Sequence, residues 1–378
     1  MRMLEVITLL SALLVVVGLT EIVAWVSLEK FFPRDEVVRQ ILLRNSKGQV
    51  VEDFNSIGQA YLLYIPAPGF SQGGILQHNE HGYRGPAIPL RRTRAKLRIL
   101  FLGGSTTYGV GVGDPEKTYP AQLGQILEQQ SLEGVSGVEV INAGLIWGTT
   151  AEIMTHYLFK YRYYRPDIVV VNTGANDAQA TAQGANYHPD YSHWRQQLPE
   201  LRALPPKVRW LMHSRTFALL AIRLFYSDVA SGALFVRFDD SPPPAAWYTH
   251  AQTDPEKTGQ IPEEDLAFKQ NLTTIIREIK ADGAEVLLVP TRLNPDPHSD
   301  GYWAEVPDEA ARNERILKQL ASEFEVDVAP FPAEVISPEN WIDSVHLDEE
   351  GILEKANHVA ESLLPIVRRL SVRNRDRR

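Results

Sequence analysis

Five short apolar runs recur along the chain, each ending where glycine, asparagine or proline takes over. They are Leu97–Leu102, Val138–Asn142, Asp167–Thr173, Ala284–Pro290 and Val326–Ala329. Aliphatic and β-branched residues follow one another there with little polar alternation, the pattern of strands buried on both faces of a parallel sheet. Between the runs, apolar positions fall at helical spacing. Tyr119, Leu123, Ile126 and Leu127 predict a helix within Thr118–Gln130. Ile153, Tyr157 and Tyr161 predict a second, opened by a Thr149…Glu152 capping box and stopped at Arg165-Pro166. Phe268, Leu272, Ile275, Ile276 and Ile279 mark a third over Leu266–Ala281, ended by Gly283, and Glu309–Phe324 a fourth. Ile352, Ala356, Val359, Leu363 and Ile366 form the buried stripe of a last helix with Asp348 as its N-cap. Alternating strands and helices predict an α/β fold: a doubly wound, flavodoxin-like parallel five-stranded sheet.

Two stretches break this rhythm. Val6–Leu28 is almost wholly apolar, interrupted by Glu21, with Val6–Thr20 as its uncharged core. Its length fits a membrane-spanning helix and also the apolar part of a signal peptide. No clean small-x-small cleavage site follows, and Trp25 suits an interface, so residues 1–30 are read as an uncleaved anchor. Either reading puts the remaining chain outside the cytoplasm, periplasmic or at the cell surface. Residues 31–95 form a membrane-proximal extension, with a hairpin expected around Asn45–Gly48 and a polar, glycine-rich segment, Asn79–Gly85, just before the first strand. The second break, 184–259, is rich in proline, histidine and aromatics, with one amphipathic helix expected over Ser214–Tyr226. It is read as an insertion that shapes a pocket within a domain spanning 96–370; residues 371–378 are a basic tail.

Composition removes several function classes. A net charge of −9 over 378 residues argues against a nucleic-acid surface. With no cysteine, disulfides, thiolate metal sites and a cysteine nucleophile are excluded. His188, Asp190 and His193 have loose metal-ligand spacing but no second cluster, so neither metal nor cofactor is expected.

The candidate chemistry sits at the strand ends. Gly103-Gly104-Ser105 closes the first run, Ala143-Gly144 follows the second, and Gly174-Ala-Asn176-Asp177 the third. A doubly wound sheet brings these ends to one edge, where ligands bind. A serine there needs a base, and the base an orienting group. Among ten histidines, His346 stands out: it precedes the last helix, with Asp343 three residues earlier. Arg84, in the polar segment before the first strand, is a candidate for orienting a substrate or a catalytic loop, against the plainer reading of a surface arginine in a turn.

Gly-x-Ser, a glycine, Gly-x-Asn-Asp and Asp-x-x-His, in that order, resemble the SGNH hydrolases, the GDSL-type esterases and lipases. The resemblance covers 96–183 and 260–370 and is to the membrane-anchored bacterial type. The first block departs from the family name, with Gly104 for Asp and Thr106 for Leu. The resemblance implies Ser105 as nucleophile, His346 and Asp343 as base and orienting acid, and Ser105, Gly144 and Asn176 as the oxyanion hole. The implied activity is hydrolysis of O-acyl esters, acetyl above all, on an acylated small molecule, glycan or lipid. Alternatives are an O-acyltransferase using the same acyl-enzyme on envelope polysaccharide, an inactive glycan-binding relative, and a metal hydrolase built on the His188 region.

Overall fold

A computed structural model describes residues 3–30, 56–59, 61–72, 76–92, 96–130, 134–182, 187–191, 214–217, 219–220, 261–296 and 306–375. In chain order the elements used below are α1 (Met3–Lys30), β1 (Leu97–Gly103), α2 (Ser105–Tyr108), α3 (Tyr119–Glu128), β2 (Val138–Gly144) and α4 (Thr150–Phe159). Then come β3 (Ile168–Thr173), α5 (Ala175–Thr181), α6 (Ala267–Ala281), β4 (Glu285–Pro290), α7 (Pro307–Phe324), β5 (Asp327–Val328) and α8 (Glu349–Arg375). The five strands make one parallel sheet in the order β2-β1-β3-β4-β5. The doubly wound topology read from the runs is therefore the one observed.

Register explains why the chemistry gathers at one edge. Gly103 is paired with Gly144 on one side and Asn172 on the other, and Thr173 with Pro290. The carboxyl ends of the four long strands thus stop level with one another. Alternation along each strand sends Leu97, Ile99, Phe101, Ile168, Val170, Leu287 and Val289 to one face. There they pack with Tyr119, Leu123 and Leu127 of α3 and Ile352, Ala356, Val359, Leu363 and Ile366 of α8. Leu100, Leu102, Val169, Val171, Val286 and Leu288 turn to the opposite face, where α4, α6 and α7 lie against the strands and one another.

Local signals act as read. Thr149 caps α4 with the full capping box: its backbone N–H donates to Glu152 Oε2 at 2.8 Å, and its own hydroxyl accepts from the first turn. Asp348 caps α8, its Oδ1 accepting from the Gly351 N–H at 2.9 Å. Gly103 has no alternative, because a Cβ there would meet Thr107 Oγ1 at 2.1 Å and the Asn172 carbonyl at 2.5 Å.

By contact the chain divides into two units. One comprises 59–193 and 244–378 and holds the sheet. The segment before β1 belongs to it from residue 59 onward rather than standing apart: Tyr64 OH donates to the Ile146 carbonyl at 2.6 Å, and Arg84 forms an isolated bridge with Asn142. The last helix runs through the expected basic tail as far as Arg375. The other unit comprises 1–58 and 194–243 and contains α1. Thr8–Ser27 is long and apolar enough to cross a membrane, with a mean hydropathy of 2.3. Glu21, the charge that interrupts it, accepts hydrogen bonds from the Ser214 hydroxyl and the Arg215 and Thr216 N–H groups. The hairpin expected around Asn45–Gly48 and most of the 184–259 insertion, including the bulk of the Ser214–Tyr226 helix, lie outside the described residues.

Candidate active site

Ser105 is the first residue of α2, the tight turn that leaves the carboxyl end of β1. Its hydroxyl lies 2.8 Å from His346 Nε2. His346 Nδ1 lies 2.7 Å from Asp343 Oδ2. Ser105 is more than two hundred residues from the other two, and they meet where the carboxyl end of β1 faces the loop that feeds α8. The short Asp343–His346 loop is held from within: Asp343 Oδ1 accepts from the N–H groups of Val345, at 2.8 Å, and His346, at 2.7 Å. It is also held from outside, by Asn294 after β4, whose N–H donates to the Ser344 carbonyl at 2.7 Å and whose amide donates to the Asp343 carbonyl at 3.2 Å. Burial alone would raise the Asp343 pKa. The bonds from the His346 ring and from the two N–H groups outweigh it and hold the carboxyl down at about 2. Asp343 is thus ionised at neutral pH and faces the nitrogen that must carry a proton if the other is to accept one.

The serine opens into a cleft lined by Gly104, Thr106, Gly148, Asn172, Asn176 and Val345 among others, with about 260 Å³ of empty space. Asn176 is the second residue of α5, set there by Gly174, whose φ of +123° favours glycine. Its Nδ2 donates to the Gly148 carbonyl at 2.9 Å, which fixes the amide's orientation and uses one of its two hydrogens, and the residue lines the cleft. Asp177, the next residue, is fully buried beneath. It accepts from the Thr150 N–H at 3.1 Å and hydroxyl at 2.5 Å and from Tyr191 OH at 2.6 Å. Burial pushes its pKa up to about 6, against the lowering effect of those bonds.

Two expectations require correction. Gly144 is not brought to the serine. Its N–H donates to Asn142 Oδ1 at 3.0 Å, and its α-carbon is pressed under α2, where a Cβ would meet the Tyr108 nitrogen at 2.1 Å. The glycine of this segment that lines the cleft is Gly148, four residues on. It ends a turn in which its N–H donates to the Leu145 carbonyl at 3.0 Å and Trp147 takes a left-handed φ of +61°. Such a φ costs a bulky residue ~1–2 kcal/mol. In the sequence Gly148 is marked by its place directly before the capping Thr149.

For Arg84 the surface reading gives way to that of a residue orienting a catalytic loop. It is 2% exposed. Its guanidinium donates to the carbonyls of Tyr108 at 3.3 Å, Gly109 at 2.8 Å and Gly113 at 2.5 Å, and its carbon lies 5.2 Å from the centre of the Tyr108 ring. It clamps the carboxyl end of the turn that begins with Ser105. His78 adds to the clamp, its Nε2 lying 2.6 Å from Tyr108 OH. A cation against the last carbonyls of a helical turn is favourably placed.

Among the described residues, no group of three or more histidines or carboxylates is close enough to hold a metal ion. His193 lies outside them.

Residues 101–352 match the GDSL-like Lipase/Acylhydrolase family. Nothing among curated proteins matches the chain. Several solved structures are similar. One is the lipase/acylhydrolase from Enterococcus faecalis, with 16% identity and a TM-score of 0.41 over 70% of this chain and 94% of that one. Another is LAE5, an alpha/beta hydrolase from the metagenome of Lake Arreo, with 12% identity and a TM-score of 0.42 over 71% and 95%. A third is a catalytic mutant of Axe2, an acetylxylan esterase from Geobacillus stearothermophilus, with 14% identity and a TM-score of 0.40 over 71% and 96%.

Proposed function

Since the chain belongs to the GDSL-like lipase/acylhydrolase family and is an ester-hydrolysing enzyme, we propose that it is a membrane-anchored, extracytoplasmic serine esterase that removes short O-acyl groups, acetyl above all, from a glycan or other acylated alcohol. The observation that carries this reading is the unbroken relay from Asp343 through His346 to Ser105, with contacts of 2.7 and 2.8 Å. His346 takes the Ser105 proton as Oγ attacks the ester carbonyl carbon. The Oγ–C bond forms, and the carbonyl π pair moves onto oxygen. Collapse breaks the bond to the alcohol, which leaves with the proton from His346. Water then repeats the sequence on the acyl-serine and frees the acid. Asp343 supports the positive imidazole at each stage.

The developing oxyanion is assigned to the Ser105 N–H, at the amino end of α2, and to the second Asn176 amide hydrogen. Gly148 holds that amide in place, and Gly144 has no part in the hole. A short acyl group is favoured by the cleft, whose walls are mostly glycine, alanine, threonine and valine. The extracytoplasmic placement rests on the apolar span Thr8–Ser27.

The test is hydrolysis of p-nitrophenyl esters of increasing acyl length by the full chain, the Ser105→Ala variant, and the full chain with EDTA. The reading requires highest kcat/KM for acetyl, loss of turnover in Ser105→Ala, and indifference to EDTA. EDTA-sensitive turnover that survives in Ser105→Ala would replace it with metal chemistry.

A further inference from the structure

A second cleft adjoins the one at Ser105, sharing Thr106, Thr291 and Val345 with it. One of its walls is Lys355, on α8, only 3% exposed. Among the described residues no carboxylate pairs with this amine. Its Nζ donates to Asn172 Oδ1 at 2.6 Å and lies 4.4 Å from the centre of the Tyr119 ring and 5.9 Å from that of Phe331. Burying an unpaired cation is costly, and a methionine would fill much the same space. The amine therefore calls for a reason beyond packing.

Asn172 supplies one. It is near the end of β3, at the active edge, and its carboxamide joins four segments. Nδ2 donates to the Val289 carbonyl at 3.0 Å and to Thr291 Oγ1 at 3.2 Å, both at the end of β4. Oδ1 accepts from Lys355 and, at longer range, from the hydroxyls of Thr106 at 3.4 Å and Thr107 at 3.5 Å, the two residues after Ser105. A carboxamide can turn over and exchange its oxygen for its nitrogen. An ammonium only donates, so it admits one orientation: oxygen toward Lys355 and the threonines, nitrogen toward β4. A charge-assisted bond enforces this more strongly than the two long hydroxyl contacts could.

We propose that Lys355 is a positioning residue for the serine chemistry, its ammonium locking the Asn172 carboxamide and, through Thr106 and Thr107, the turn that carries Ser105. The proposal rests on Ser105 being the nucleophile. Burial lowers the Lys355 pKa to about 7, so the lock loosens as pH rises through neutrality. The other titratable groups around it do not substitute. Tyr119, from α3, has its pKa raised by burial. Arg292, on the same cleft, is paired with Glu314 at 2.6 Å. On α8 itself, Glu354 is bonded to Ser337, and His358 meets the Pro330 carbonyl with its ring beside Phe331.

The experiment is kcat and KM for p-nitrophenyl acetate across the neutral and mildly alkaline range, on the full chain and three variants. In Lys355→Met, kcat falls about tenfold or more with KM little changed, as misplacing a reacting group does, and the alkaline fall seen in the parent is gone. In Asn172→Asp, a carboxylate now faces the amine, and the alkaline fall moves up by about one pH unit or more. Wild-type kcat with the parent's alkaline fall in Lys355→Met, or an unmoved fall in Asn172→Asp, overturns the proposal. The second variant decides alone if the first does not fold. Ser105→Ala separates the two levels: turnover surviving there refutes the nucleophile itself, whereas turnover lost there with Lys355→Met unaffected refutes only the role of the lysine.

Discussion

Replacing Arg84 by methionine removes the cation that closes the far end of the Ser105 turn and leaves most of its volume filled. Three backbone carbonyls lose a charged donor, two of them at 2.8 and 2.5 Å; Tyr108 and Gly109 each keep a second donor, Asn142 Nδ2 at 3.3 Å and the Val112 N–H at 3.2 Å. Hydrogen bonds to a charged group contribute ~1.5–3 kcal/mol each, and the third, at 3.3 Å, adds little. Against this, the variant no longer buries a guanidinium, whose pKa is lowered by that burial. The net loss is about 3 kcal/mol, at the upper end of the usual range for single substitutions. Because the Tyr108 and Gly109 carbonyls close the turn that begins with Ser105, activity should suffer as well: kcat down by about tenfold or more, KM little changed. Arg84→Lys should recover only part of either loss, since a point charge cannot reproduce the planar fork on three acceptors. Denaturant unfolding gives the first quantity and ester hydrolysis the second. Stability within ~0.5 kcal/mol of the parent together with an unchanged kcat would refute the clamp.

Asn176→Ala should lower kcat by roughly 10²- to 10³-fold while hardly changing KM, the effect of deleting one oxyanion donor; steady-state kinetics decide, and an unchanged rate removes Asn176 from the hole. Asp343→Asn should keep the fold, shown by an unaltered circular dichroism spectrum, and lose turnover by orders of magnitude, because the imidazole is then held in the wrong tautomer; near-normal activity would mean that the aspartate only braces its loop. Asp177 has its pKa raised from 3.8 to about 6 by burial, so its contribution to stability is complete below pH ~4 and is lost as pH rises through about 6. Unfolding measured across that window should show stability falling in the parent and a flatter profile in Asp177→Asn; equal slopes would mean the carboxyl titrates normally.

Some features are legible from local chemistry. The relay is, because Asp343 and His346 are close in sequence and Ser105 follows directly on a buried strand. The doubly covered parallel sheet is, because runs with no polar alternation require cover on both faces. Gly144 and Gly148 are harder. They lie two and six residues past the second run, and only the folded turn, with Trp147 at positive φ, shows which backbone reaches the cleft. Arg84 misleads for a different reason. Its polar, glycine-rich context reads as surface, yet its acceptors are carbonyls, which every residue carries and no sequence motif marks. Lys355 is hidden similarly. On α8 it sits beside Ala356 on the buried side of an otherwise charged helix, and its partner Asn172 is inside an apolar strand more than 180 residues earlier.

The central claim is covalent, and it is tested most directly by mass spectrometry of the intact chain and its peptides after reaction with a fluorophosphonate. The account predicts one adduct, on the peptide containing Ser105, absent in Ser105→Ala and formed far more slowly in His346→Ala. Active enzyme that stays unlabelled, or an adduct on another residue that persists in Ser105→Ala, would contradict it.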